Sequence, residues 1–304
     1  MDETFAPAGG IDKRALRALS RYSNAKGLGH LAGHGAALGT TAWWLALATG
    51  SGWVFPAMVA HGIVLVFLFA PLHETIHWTA FRSRRLNDIV SWVCGAALAL
   101  PPLYFRAFHF AHHRHTQDPD RDPELATPKP SDIGGYLWHV SGLQYWRAQA
   151  LLLGRHAVGR VDAPFIARRH YPAIVREARV VLLVYLAIAL GSAATGSWAA
   201  LQYWVAPVLL GQPFLRMYLL AEHTGCPMIP DMLRNSRTTH TIWPVRFLAW
   251  NMPYHVEHHV FPALPFHALP AAHSLLKERI AVQATGYVAV QRGIVAGLGR
   301  AGTR

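Results

Sequence analysis

No Lys, Arg, Asp or Glu occurs between Gly27 and Leu72, and none between Val180 and Leu215. Each charge-free stretch divides at a turn, Gly50-Ser51-Gly52 in the first and Thr195-Gly196-Ser197 in the second. Each half is roughly 20 residues, enough for a helix to cross a hydrocarbon core. The chain therefore reads as an all-α integral membrane protein with four transmembrane helices, at approximately residues 28–49, 53–72, 177–195 and 198–219. The composition agrees, since 52% hydrophobic and only 14% charged residues are outside the usual range for a soluble chain of 304 residues.

Basic residues give the orientation. Lys13, Arg14, Arg17, Arg21 and Lys26 precede the first span, Arg82, Arg84 and Arg85 follow the second, and Arg147 to Arg179 hold seven arginines before the third. The interhelical turns carry no charge. The positive-inside rule then places both termini and the segments 73–176 and 220–304 in the cytoplasm, with the chain in the cytoplasmic (inner) membrane. Orientation and anionic headgroups account for the net charge of +12 without a nucleic acid. Ile89–Tyr104 is apolar but short for a span and ends at Pro101-Pro102, so it is expected to be a re-entrant or interfacial segment that dips and returns. Trp138, Trp146, Trp243 and Trp250 are expected at headgroup level. Met1-Asp2-Glu3 leads into no cleavage-site pattern, so no removable signal peptide is expected. Cys94 and Cys226 are isolated and support neither a disulfide nor a thiolate metal site. No repeat or boundary divides the chain, which reads as one domain over 1–304 with a cytoplasmic histidine-rich cap.

That cap carries the chemistry. His73-Glu74-Thr75-Ile76-His77, His109-Phe110-Ala111-His112-His113 and His255-Val256-Glu257-His258-His259 are three clusters in which residues three or four apart share a helix face. Neutral imidazole ligates iron, zinc, copper or nickel, and each cluster supplies only part of a coordination shell. The first cluster alone also matches H-E-x-x-H, the pattern of a zinc protease whose glutamate is the general base, so an intramembrane zinc metalloprotease is an alternative. A hydrolytic zinc site employs three protein ligands, which would leave most of these histidines unused. With His223, nine imidazoles suit two metals better than one. His30, His34 and His61 lie in the first hairpin, where backbone pairing or a cavity is expected rather than metal.

The order, spacing and placement of the three boxes resemble the membrane fatty acid desaturase family, which includes related hydroxylases and ketolases, from about the first span to His273. In that family the histidines hold two irons at the cytoplasmic ends of the helices. The resemblance implies the ligands His73, His77, His109, His112, His113, His255, His258 and His259, with His223 in the position of a further ligand after the fourth span. It implies an O2-dependent non-haem diiron enzyme acting on the alkyl chain of a lipid or fatty acyl group, most simply a desaturase, with a lipid or alkane hydroxylase as the alternative. The first box has the short spacing also found among sphingolipid desaturases, alkane hydroxylases and some ketolases, so spacing does not separate the two outcomes. No nucleotide-binding fingerprint or iron–sulfur ligand set is present in the sequence, so electrons are expected from a separate ferredoxin or rubredoxin with its reductase. A narrow apolar tunnel is expected to hold the chain.

Carboxylates adjacent to the boxes are candidates for orienting ligand rings. Asp118 stands first among Asp118, Asp120, Asp122 and Glu124, which follow the second box, and Glu222 and Glu257 adjoin ligands, although a direct helical neighbour points away from the ligand face.

Overall fold

The computed structural model describes residues 13–299. The expectation of an uncleaved N-terminus falls outside these residues. A short α1 (Lys13–Leu19) leads to α2 (Asn24–Ala48), whose first turn is capped by the Ser23 hydroxyl accepting from the Lys26 N–H. After the glycine turn, α3 (Val54–Val66) runs on through a two-residue break into α4 (Phe69–His77). Next come α5 (Arg84–Ala97) and α6 (Pro102–His115), then α7 (Ile133–Val140), α8 (Leu143–Ala157) and α9 (Tyr171–Thr195). A single π-helical turn, Leu201–Val205, opens α10 (Ala206–His223). The C-terminal part comprises α11 (Met232–Asn235), β1 (Thr238–His240), α12 (Trp243–Leu248), α13 (His255–Val260), α14 (Leu269–Leu276), β2 (Gln283–Thr285) and α15 (Tyr287–Gly297).

Two helices, Val54–His77 and Leu201–His223, are long and apolar enough to cross a membrane, and a third counts if the bent pair α5–α6 is one span. The sequence led to an expectation of four. The expected first and third spans correspond to α2 and α9, helices of 25 residues each. Glycines and two histidines dilute α2, and the first half of α9 carries Arg176, Glu177 and Arg179. Both nevertheless expose large apolar side chains, among them Trp43 and Leu47 on α2 and Leu183, Leu186 and Leu190 on α9, a surface that water alone does not favour.

α5 and α6 meet at 97°. Ala99 adopts φ 53 in the turn, and Pro102 opens α6 where its missing N–H is no loss. Glu177 on α9 reaches across to accept from the Leu103 N–H at 3.0 Å, a carboxylate at the positive end of α6. This bend brings His109 back beside His73, with ring centroids 4.4 Å apart, so the two histidines lie on one side of the molecule.

α3 packs on α10 at a crossing made by Gly62 and Gly211. A Cβ at Gly62 would lie 2.1 Å from the Pro207 carbonyl oxygen, and one at Gly211 would lie 2.2 Å from that of Gly62. Backbone meets backbone here, so neither partner can yield. Gly62→Ala is therefore expected to cost about 3 kcal/mol or more, read as a lowered melting temperature and a lower yield of folded protein in detergent. Ala at Gly39, which would meet nothing within 4 Å, is the control.

The histidines of the first hairpin serve the fold. His34 bonds the Val64 carbonyl at 3.0 Å, His61 bonds the Tyr203 carbonyl at 3.0 Å and Thr41 at 2.8 Å, and His30 bonds the Phe247 carbonyl at 2.8 Å. Each ties α2 or α3 to another segment where an unpaired imidazole would be costly. Trp250, expected at the headgroups, is instead fully buried against His30 and Phe266. The two three-residue strands pair in parallel, Thr238 opposite Gln283, a small departure from an all-helical reading. Cys94 and Cys226 are both free and buried.

Candidate metal centre

The histidines are delivered by four elements. α4 ends at His77 because Trp78 takes a left-handed φ of 63, and its ring lies between the guanidinium groups of Arg84 and Arg106, at 2.8 and 3.3 Å. α6 carries His109, His112 and His113, the end of α10 carries His223, and α13 carries His255, His258 and His259.

Eight of the nine form two groups, each with its ligand atoms within 4.8 Å of one another: His73, His77, His109, His113 and His258 in the first, His112, His223 and His259 in the second. The groups adjoin, since the His113 ring stacks on that of His259 at 4.3 Å. His255 stands beside the second group, its Nε2 2.9 Å from that of His223 and its ring 4.4 Å from His259.

These nitrogens cannot satisfy one another. His113 Nε2 lies 2.9 Å from His109 Nε2 and 3.0 Å from His258 Nε2, yet a neutral imidazole has one N–H and one lone pair to share. His77 Nε2 and His259 Nε2 are buried with no partner at all. Burial, reinforced by the surrounding imidazoles, holds His255, His258 and His259 well below the usual histidine range, so these rings are neutral with lone pairs available. Crowded neutral imidazoles with unspent lone pairs fit cations and little else.

The rings are oriented from behind. His112 Nδ1 donates to Asp122, at 2.9 Å from Oδ1 and 3.1 Å from Oδ2, and Asp122 also accepts from the backbone N–H groups of Gln117 and Glu124. His223 Nδ1 donates to the Asn235 carbonyl at 3.1 Å. Both contacts leave Nε2 as the inward-facing atom. Gln117, at a left-handed φ of 63, donates to the His223 carbonyl and accepts from Lys129, so the loop after α6 is strapped onto the end of α10.

The three carboxylates singled out from the sequence have different surroundings. Glu222 Oε1 lies 3.3 Å from His255 Nδ1. Glu257 touches no group histidine: it accepts from Thr238 at 2.7 Å and binds His273, fastening α13 to β1 and α14. Asp118 is bound to Arg121 on the surface and does not reach the histidines. Asp122 takes the position expected for it, because Pro119 and the turn to Pro123 fold the chain back four residues later. Glu74 accepts from Thr79 at 2.9 Å and from the Phe266 N–H at 3.1 Å and belongs to neither group. Those donors take Oε2 and leave Oε1 3.7 Å from His73 Nδ1, so what separates this site from a zinc protease is that His73 and His77 sit in a group of five histidines rather than three.

A cavity of about 410 Å³ reaches the histidines. Phe69, Phe105, Phe108 and Leu219 form apolar wall, while His73, His109, His112, His223 and His255 also line it.

The family model for fatty acid desaturases matches residues 51–290, which include every histidine of both groups. The chain belongs to that family. This desaturase-family chain is 25% identical over 245 residues to sn-1 oleoyl-lipid 12-desaturase of Picosynechococcus sp., covering 74% of this chain and 69% of that one. It is 24% identical to sphingolipid delta(4)-desaturase of Drosophila melanogaster, over 77% and 67% of the two chains. It is 25% identical to sphingolipid delta(4)-desaturase/C4-monooxygenase of Rattus norvegicus, over 77% and 69%. These relatives are oxidoreductases, and so is the desaturase-family chain.

Proposed function

We propose that the chain is an O2-dependent diiron enzyme that introduces a double bond into the alkyl chain of a lipid or fatty acyl substrate. The observation that carries this reading is the pair of adjoining all-histidine groups facing one cavity. The proposed ligands are His73, His77, His109, His113 and His258 for one iron and His112, His223 and His259 for the other, with His255 beside the second. Bound iron, with O2 and two electrons, would supply the oxidant that an unactivated methylene requires and that side chains cannot provide.

The protein's own residues do the rest. Phe69, Phe105 and Phe108 line the cavity and hold an alkyl chain away from water. Asp122 and the Asn235 carbonyl keep protons on the outer nitrogens of His112 and His223, fixing both rings. Glu222 Oε1, 3.3 Å from His255 Nδ1, places a carboxylate beside that ring. In the proposed topology α2, α3–α4, α9 and α10 span the inner membrane, and the histidines and both termini face the cytoplasm. Exposed Arg114 and Arg234 beside the histidine helices suit an acidic donor such as a ferredoxin or rubredoxin. Hydroxylation is the second reading, favoured by the double name of the rat relative, desaturase/C4-monooxygenase.

Metal analysis of purified protein, paired with the lipid profile of cells with and without the gene, tests the proposal. About two irons per chain and an acyl species lighter by two hydrogens are the expected result. A gain of one oxygen selects the hydroxylase. Zinc with an unchanged lipid profile overturns the proposal.

A further inference from the structure

The cavity that reaches the histidines has a polar end to which the chemistry above assigns no role. Arg216 lines it, seven residues before His223 on α10. Seven residues are two helical turns, so the two side chains leave one face of the helix about 10 Å apart along its axis. The Arg216 guanidinium lies over the Tyr145 ring at 4.3 Å, and its Nε is buried with no hydrogen-bond partner. Among the described residues it forms no ion pair.

The carboxylates of the cavity make their close contacts with the histidines, and Glu124 and Glu222 act on Arg216 only from beyond ion-pair distance. Asp122 holds His112 at 2.9 Å, Glu124 lies 3.7 Å from the same ring, and Glu222 lies 3.3 Å from His255. Lys129, the other cation of the wall, donates only to neutral acceptors, Gln117 Oε1 and the His223 carbonyl. Thr224 Oγ1, in the same wall, is buried and unpartnered. Arg216 is half-buried, its Nε has no partner, and no carboxylate lies within ion-pair reach of it, so a bound anion would supply a contact the protein leaves unmade.

We infer that the substrate carries an anionic head, a carboxylate or a phosphate, which enters this cavity and is held by Arg216. The oxidised carbon then lies in the half of the chain nearer that head, because Arg216 and the ligand His223 are only about 10 Å apart along one helix. Arginine suits this role because its planar fork meets either oxyanion with two parallel hydrogen bonds. The inference rests on reading the histidines as the oxidising centre.

Equilibrium binding of radiolabelled palmitate, hexadecyl phosphate and methyl palmitate to the purified full chain in detergent tests it. At least one acid is expected to bind about tenfold or more tightly than the ester, as a charge-assisted hydrogen bond is worth that much. Which acid binds better identifies the head as carboxylate or phosphate. Arg216→Gln is expected to abolish the preference while leaving iron content unchanged, and Arg216→Lys to keep part of it. Equal binding of acids and ester by the wild-type protein overturns the inference, as does a preference that survives Arg216→Gln. The wild-type comparison needs no variant, so it decides even if Arg216→Gln fails to fold. It also needs no turnover, so a chain that selects the acid yet binds no iron would refute the diiron proposal alone.

Discussion

His113→Ala is expected to lower iron from about two per chain to one or fewer and to abolish lipid oxidation. The His113 ring bridges the two groups. His113 Nε2 faces both His109 and His258, and its ring stacks on His259 of the second group. Its loss removes a ligand from the first group and the surface against which the second is packed. His115→Ala, two residues on and outside both groups, is the matched control and should retain its iron. Iron by mass spectrometry of purified protein and product by lipid analysis are the two readouts. A variant at His113 with full iron and full product would refute the assignment of ligands.

Asp122→Ala is expected to weaken metal binding by about 10- to 100-fold, as loss of a ring-orienting carboxylate does elsewhere. The effect should fall on the second group, because His112 is the ring Asp122 holds. Removing the carboxylate also strips the Gln117 and Glu124 N–H groups of their acceptor, which releases the strap from the end of α10. Asp118→Ala, four residues earlier, should leave iron affinity unchanged, since it breaks only a pair with Arg121 and a turn bond from the Asp120 N–H, neither of which reaches the histidines. Iron affinity by competition with a chelator distinguishes the two, and equal effects at the two positions would sink the argument.

The contrast between those aspartates shows where the sequence stopped being legible. The histidines could be read because spacing along a helix is a local property and α4, α6 and α13 are helices. The sharp bend around Pro101-Pro102 was legible for the same reason, as proline acts on its own neighbours. Asp122 could not be separated from Asp118 because the choice depends on how a turn folds back, and both residues sit in a run of prolines and acids. Trp250 was misplaced because an indole in an apolar segment looks the same whether it meets headgroups or His30 and Phe266. The Asn235 carbonyl behind His223 carries no side-chain signature. Arg216 reads as one basic residue at the end of an apolar run, and only the cavity shows its carboxylates turned away.

Each histidine group draws from distant parts of the chain: His73 meets His258, and His112 meets His259. Neither constellation can exist on a nascent polypeptide until residue 259 has emerged from the ribosome. A chain cut short before α13 therefore keeps the helices of its first two boxes but completes neither histidine group.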